Sequence, residues 1–259
     1  MRTDYETVCT ERADGLGTIT LNRPQKRNAI NLQMCLDLLR AVQEMEADDG
    51  VRLVLVRGNG TAFCAGADVG ERDGKTAAWV RERRLAAFAA YDALEGLGKP
   101  CICVAHGAII GGGGEIAAAC DFVVASERSS FRYPETVRGS VGAGQRLPRM
   151  VGKAMAEELL FTGRTIGAAE ALRIRLVNRV VAHDALDATV AELAATICSN
   201  FPLSIHLMKR CIDVGMESDI RTGMAYERLA IDRCLAGSEW REGVKQFVDG
   251  RAAEQGARA

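Results

Sequence analysis

The run CICVAHGAIIGGGGEIAAACD, Cys101 to Asp121, changes its periodicity twice within its length. Cys101 to Ala105 is a short apolar stretch with the length and composition of a buried strand. Gly107 to Gly114 then holds five glycines, and Glu115 opens an alanine-rich helix that stops before another strand at Phe122 to Ala125. Strand, glycine turn and helix in that order place the positive end of a helix beside backbone that a ligand can approach closely. Such a turn can stabilise negative charge, or it can be no more than a tight packing corner. It lacks the Gly-Lys-Ser/Thr ending of a P-loop, and Ile116 stands where a dinucleotide turn needs its third glycine, which weakens both nucleotide readings.

Working outward, the same alternation recurs. Val8 to Glu11 and Gly17 to Leu21 read as two strands joined by the turn Ala13-Asp14-Gly15. Leu32, Cys35, Leu36, Leu39 and Val42 recur at helical spacing until Asp48-Asp49-Gly50. Val51 to Arg57 is a strand, followed by Gly58-Asn59-Gly60 and the small-residue segment Ala62 to Asp68. Gly70 to Lys75 reads as an exposed loop and Ala77 to Leu97 as a long helix. From Ala154 onward the pattern is helical, with long segments at Ser204 to Met216 and Ile220 to Leu235 and one remaining strand at Val177 to Val181. The layout is an α/β body with a helical tail. Strand-strand-helix units recur roughly every 40 to 50 residues in the first half, which a structural spiral and a doubly wound parallel sheet explain equally well.

At 259 residues, with 48% hydrophobic and 26% charged side chains, the chain has the composition of an ordinary folded protein. A net charge of -1 provides no overall field for nucleic acid or an anionic membrane. Arg2, Asp4 and Glu6 interrupt the apolar run that a signal peptide needs, and no segment approaches the roughly 18 apolar residues of a membrane span. Nine cysteines without C-x-x-C spacing, most of them in apolar stretches, indicate reduced thiols. Cys101 and Cys103, read as facing opposite sides of one strand, are not expected to bind metal. The expectation is a soluble, cytoplasmic protein.

Three features can carry chemistry. Ala65-Gly66-Ala67-Asp68 follows a strand and can offer a backbone N–H to the same oxygen that the glycine turn reaches. Glu115 and Glu135 frame the central region, and two half-buried carboxylates would raise one another's apparent pKa, leaving one able to donate a proton while the other accepts. His106 precedes the glycine run and can hydrogen-bond within the turn, whereas His183 and His206 lack ligand spacing. No G-x-S-x-G elbow offers a serine nucleophile. Arg81, Arg83 and Arg84, interrupted by Glu82 and without interleaved aromatics, read as a solvated helix face rather than an RNA-binding stripe.

These residues resemble the enoyl-CoA hydratase/isomerase, or crotonase, family along the whole chain. The likeness includes Thr18 to Pro24 with Asn28-Ala29, Ala62 to Asp68, His106 to Asp121, Phe131 to Glu135, Gln145 to Gly152, Leu159 to Gly163, Leu176 to Asn178 and Arg241-Glu242-Gly243. The resemblance implies a spiral of ββα units over residues 1–197 holding an acyl-CoA site, and a C-terminal helical region, 198–259, that forms trimers or hexamers. It implies an oxyanion hole from the N–H groups of Ala65 and Gly112, and CoA contacts from Arg27, Ala29, Ala65, Gly66, Ala67 and Asp68. The spacing of Glu115 and Glu135 equals that of the hydratases' catalytic pair, which implies addition of water across the 2,3 double bond of a 2-enoyl-CoA. Glu135 would serve the α-carbon proton and Glu115 the water. No metal and no cofactor beyond the substrate's own CoA are implied; a double-bond isomerase, another enolate reaction, or a non-catalytic or RNA-binding homologue are the alternatives. Three departures from the family pattern stand out: a shorter glycine-rich stretch, Gly139 to Gln145, after Glu135; His106 where Asn is usual; and Gly250 where a lysine is common. Chain-length preference is expected to depend on Val69 to Lys75 and the long helix behind it.

Overall fold

Asp14 and Gly15 both adopt positive φ, 52° and 81°, the backbone of a tight hairpin turn whose twist matches its strands. They join β2 (Val8–Ala13) to β3 (Leu16–Leu21), and β1 (Arg2–Asp4) pairs antiparallel with the far side of β2. The computed structural model describes residues 1–256 and, of the side chains, those up to Asp249. The last three residues of the expected helical region and the side-chain surroundings of Gly250 lie outside the described residues.

After β3 the chain runs through α1 (Leu32–Ala47), β4 (Leu53–Gly58), α2 (Ala77–Glu95), β5 (Cys101–Ala105), the short β6 (Ala108–Ile110) and α3 (Gly112–Ala118). It continues through β7 (Phe122–Ser126), β8 (Ser130–Arg132), α4 (Arg146–Val151), α5 (Lys153–Thr162), β9 (Thr165–Gly167), α6 (Ala168–Arg173), β10 (Arg179–Val181) and α7 (Leu186–Ser199). Side-chain oxygens start the two long helices: Asn31 accepts from the Met34 N–H and Thr76 from the Trp79 N–H.

The sheets distinguish the two architectures left open above. The large sheet has the order β1-β2-β3-β4-β5-β7-β10, with every pair from β3 onward parallel. A second row runs beside it: Ile30 bridges Ala67, Cys64 bridges Ile109, β6 pairs with β8, and β8 with β9. Each circuit of chain therefore adds one strand to each row, always on the same side. A doubly wound sheet reverses direction at a switch point; this one never does, so the fold is a spiral of ββα units.

The core lies between the sheet and the helices. Met34, Leu38 and Met45 of α1 cluster with Ala87, Tyr91 and Leu94 of α2 and with Val54 and Val56 of β4, all buried, and each large side chain so buried contributes about 1.5–3 kcal/mol. Cys101, Cys103 and Cys120 belong to the same cluster. Residues two apart on a strand share a face, so the opposite-face reading of Cys101 and Cys103 is corrected. The helix after the glycines begins at Gly112 rather than Glu115, and β9 is a strand within a stretch that reads as helical.

The chain divides into compact units Met1–Ile197 and Cys198–Ala259. The second contains α8 (Pro202–Glu217), α9 (Ile220–Ala236) and α10 (Glu239–Gly256). Pro202 opens α8, Asp219 caps α9 through the N–H groups of Arg221 and Thr222, and the Glu239 carboxylate accepts from the Leu203 and Ser204 N–H groups, each at 3.0 Å.

Candidate active site

The site starts from one buried side chain, Asn28. Its Oδ1 accepts the Arg23 N–H at 2.9 Å, and its Nδ2 faces the carbonyls of Asn59 and Ala62, both at 2.8 Å, and of Phe63 at 3.1 Å. That network fastens the segment after β3 to the segment after β4. Ile30 then donates its N–H to the Gly66 carbonyl and accepts the Asp68 N–H, each at 2.8 Å. A parallel bridge of this kind uses the groups flanking Ala67 and leaves the Ala67 N–H turned away from Ile30.

On the far side lies the glycine turn. Gly66 has φ +84°, and a Cβ there would come within 2.6 Å of the Ile110 carbonyl. Gly111 has φ +49°, and its Cβ would come within 2.7 Å of Glu135 Oε1. Only glycine allows these approaches. A Cβ on Gly112 would stand 3.8 Å from the Ala67 nitrogen, so the first residue of α3 abuts the Ala67 N–H. Neither the Ala67 nor the Gly112 N–H donates to an acceptor among the described residues.

The expected donor pair is therefore corrected. The Ala65 N–H is engaged by the Arg27 carbonyl at 2.9 Å, and a donor already satisfied by the protein has little to offer a ligand oxygen. Ala67, two residues on, has the free N–H. Sequence spacing alone could not choose between two alanines in Ala-Gly-Ala; the bridge to Ile30 does.

A cavity of about 430 Å³ brings together Gly66, Ala67, Gly112, Glu115 and Glu135. Glu115, 7% exposed, rises from the first turn of α3; its Oε1 accepts the Ala143 N–H and its Oε2 lies 3.2 Å from the Arg146 guanidinium. Glu135, just after Pro134, has its Oε2 buried without a hydrogen-bond partner. Burial, and secondarily the charge of Glu115, pushes its carboxyl above the ordinary glutamate range. The shorter segment after Glu135 leaves it lining the cavity.

Arg27, Ala29, Ala65 and Asp68 lie outside that cavity but adjoin one another through hydrogen bonds. Asp68 pairs with Arg23 at 3.1 Å, and Arg23 also donates to the Ala29 carbonyl at 2.5 Å. His106 Nε2 lies 2.9 Å from the Gly60 carbonyl, in the turn after β4 and not within the glycine turn, so the expected contact is corrected.

Sequence reasoning missed Arg146 and Ala143, the groups that hold Glu115. It also misread α2. Arg83 is 3% exposed, its guanidinium bonded to the Ile30 carbonyl, and it lines the cavity together with Arg72, Arg84 and Arg138. The α2 arginines are not a solvated face: only Arg81 of the three is exposed. The signal available was helical spacing, since Arg83 lies four residues before Ala87, which is buried.

Comparison with known proteins agrees with this geometry. The chain is 36% identical over 253 residues to the crotonyl-CoA hydratase of Syntrophomonas wolfei, covering 96% of this chain and 97% of that one. It is 36% identical over 255 residues to the short-chain-enoyl-CoA hydratase of Clostridium acetobutylicum, covering 97% and 98%. The crystal structure of an enoyl-CoA hydratase from Bacillus anthracis superposes with a TM-score of 0.92 at 33% identity, covering 95% of this chain and 97% of that one. The sequence profile described as enoyl-CoA hydratase/isomerase matches residues 11–256. With the one-way spiral, the paired glutamates and a match of that extent, the chain belongs to the enoyl-CoA hydratase/isomerase family.

Proposed function

We propose that the protein is an enoyl-CoA hydratase that adds water across the 2,3 double bond of a 2-enoyl-CoA. The observation that carries this reading is one cavity holding two dissimilar carboxyl groups beside two unengaged backbone N–H groups. The Ala67 and Gly112 N–H groups would donate to the thioester oxygen, whose negative charge grows as the enolate forms; one such donor is worth about 3 kcal/mol in the barrier. Glu115, ion-paired to Arg146, suits a carboxylate that holds and polarises water. Glu135, with a raised pKa and an unpartnered oxygen, suits the group that exchanges a proton with the α-carbon. Arg27, Ala29 and the Ala65 to Asp68 segment form the rim proposed for CoA.

A second reading follows from one observation. Both oxygens of Glu115 already have protein partners, which favours a single-carboxyl isomerase in which Glu135 alone moves the proton between the α- and γ-carbons. Loss of the 2-enoyl-thioester absorbance with crotonyl-CoA separates the two. Hydration that falls roughly 100-fold or more in both Glu115→Gln and Glu135→Gln supports the hydratase; inactivity on crotonyl-CoA with conversion of a 3-enoyl-CoA, insensitive to Glu115→Gln, supports the isomerase.

The C-terminal helices expose Ile212 (58%), Met216 (77%), Ile220 (77%) and Leu229 (67%), an apolar surface that supports the proposed trimer or dimer of trimers. The nine free cysteines fit the proposed cytoplasmic location. Among the described residues no single helix is long and apolar enough to cross a membrane.

A further inference from the structure

The cavity is lined by more positive charge than a simple enoyl chain requires. Arg72, Arg83, Arg84 and Arg138 line it against only Glu115 and Glu135, and Glu115 is already matched by Arg146.

The guanidinium groups are also incompletely partnered. Arg72 Nε and Arg83 Nε are buried and without a hydrogen-bond acceptor; the nearest carboxylate oxygen to the latter, on Glu71, is 3.9 Å away. Glu71 is itself engaged, with both its oxygens 3.0 Å from the Leu32 N–H at the start of α1. Arg84 reaches Ser140 at 3.1 Å, and a Cβ on Gly142 would lie 2.9 Å from its Nη2 and 3.2 Å from Glu135 Cγ. Arg84 and Glu135 thus meet at Gly142. Burial, and then the neighbouring Arg83 and Arg84, depress the pKa of Arg72 against the opposing charge of Glu71, as expected for clustered, desolvated cations. Buried donors without acceptors are rare in folded proteins and call for a partner.

Resting on the hydratase reading for the site, we infer that the acyl group carries a second, free carboxylate at its far end, which Arg72 and Arg84 bind beneath the field of Arg83 and Arg138. The substrate class is the monothioester of a short unsaturated dicarboxylic acid. A planar guanidinium holds a carboxylate through paired, charge-assisted hydrogen bonds, whereas an apolar chain would offer the Arg72 and Arg84 charges no anion.

The test measures binding of two saturated thioesters by titration calorimetry: glutaryl-CoA, and 5-methylhexanoyl-CoA, in which an isopropyl group replaces the carboxylate. The wild type should bind glutaryl-CoA roughly 10- to 100-fold more tightly. Arg72→Gln and Arg84→Gln should each erase most of that ratio, and Arg84→Lys should retain part of it. Equal or tighter binding of the apolar thioester by the wild type overturns the inference, and this comparison needs no variant to fold. So does an equal loss for both thioesters in the variants, because the arginines would then be holding the phosphates of CoA that the two ligands share. Failure to hydrate any enoyl-CoA would count against the hydratase reading alone, since the binding ratio does not depend on turnover.

Discussion

Replacing Arg146 with Met isolates the ion pair that positions Glu115. The guanidinium meets three carboxylates: Asp92 at 2.8 Å, Glu95 at 2.6 Å and Glu115 at 3.2 Å. Their side chains are 68%, 50% and 8% exposed, respectively. Water rehydrates the first two when the arginine is lost, so each contributes about 1 kcal/mol or less. Glu115 cannot be rehydrated in place. Removing one partner of a buried pair costs about 3–5 kcal/mol because the remaining charge is left without compensation, and the Ala143 N–H relieves part of that. We expect Arg146→Met to destabilise the protein by about 3 kcal/mol, which at this chain length lowers the thermal midpoint by roughly 6–12 °C. Thermal unfolding at pH 7 and fixed protomer concentration reads this directly. In a Glu115→Gln background the same change should cost about 1 kcal/mol, the exposed pairs alone. An equal loss in both backgrounds, or a loss below about 1 kcal/mol in the wild type, would refute the claim that Arg146 acts through Glu115.

Glu135→Gln should stabilise the protein at pH 7 while removing activity. The folded-state pKa of Glu135 lies above its unfolded value, so its contribution is fully favourable only below the unfolded pKa of about 4.3 and is lost as pH rises through the folded pKa. The stability gap between variant and wild type should therefore open as pH rises from acid to neutral and close again on acidification; a gap independent of pH would contradict the desolvated site. Asn28→Ala should cost about 3 kcal/mol, because it orphans the Arg23 N–H and three carbonyls at a backbone position with φ +55°. Urea unfolding would measure it, and a change below about 1 kcal/mol would show that water replaces the network.

The elements visible in the chain were those whose evidence is local. Asp14-Gly15 marks a hairpin because few residues accept positive φ, Leu32 to Val42 mark a helix through the spacing of one apolar face, and Cys101 to Ala105 mark a strand by continuous burial. The three-residue strands β6 and β9 left no such mark, since their pairing partners lie 22 and 37 residues away in sequence, Ala108 with Ser130 and Ser130 with Gly167. The same limit applies to the site. Glu115, Glu135 and the glycine turn announce themselves by residue type and spacing, and so does membership of the family. Which alanine keeps its N–H free depends on a hydrogen bond between Ala65 and Arg27, and which arginines face inward depends on how α2 lies against the loop after β4. A chain states its propensities residue by residue, but burial and hydrogen-bond competition are settled only when distant segments meet, so the kind of chemistry was set by the sequence and the groups available to perform it by the tertiary fold.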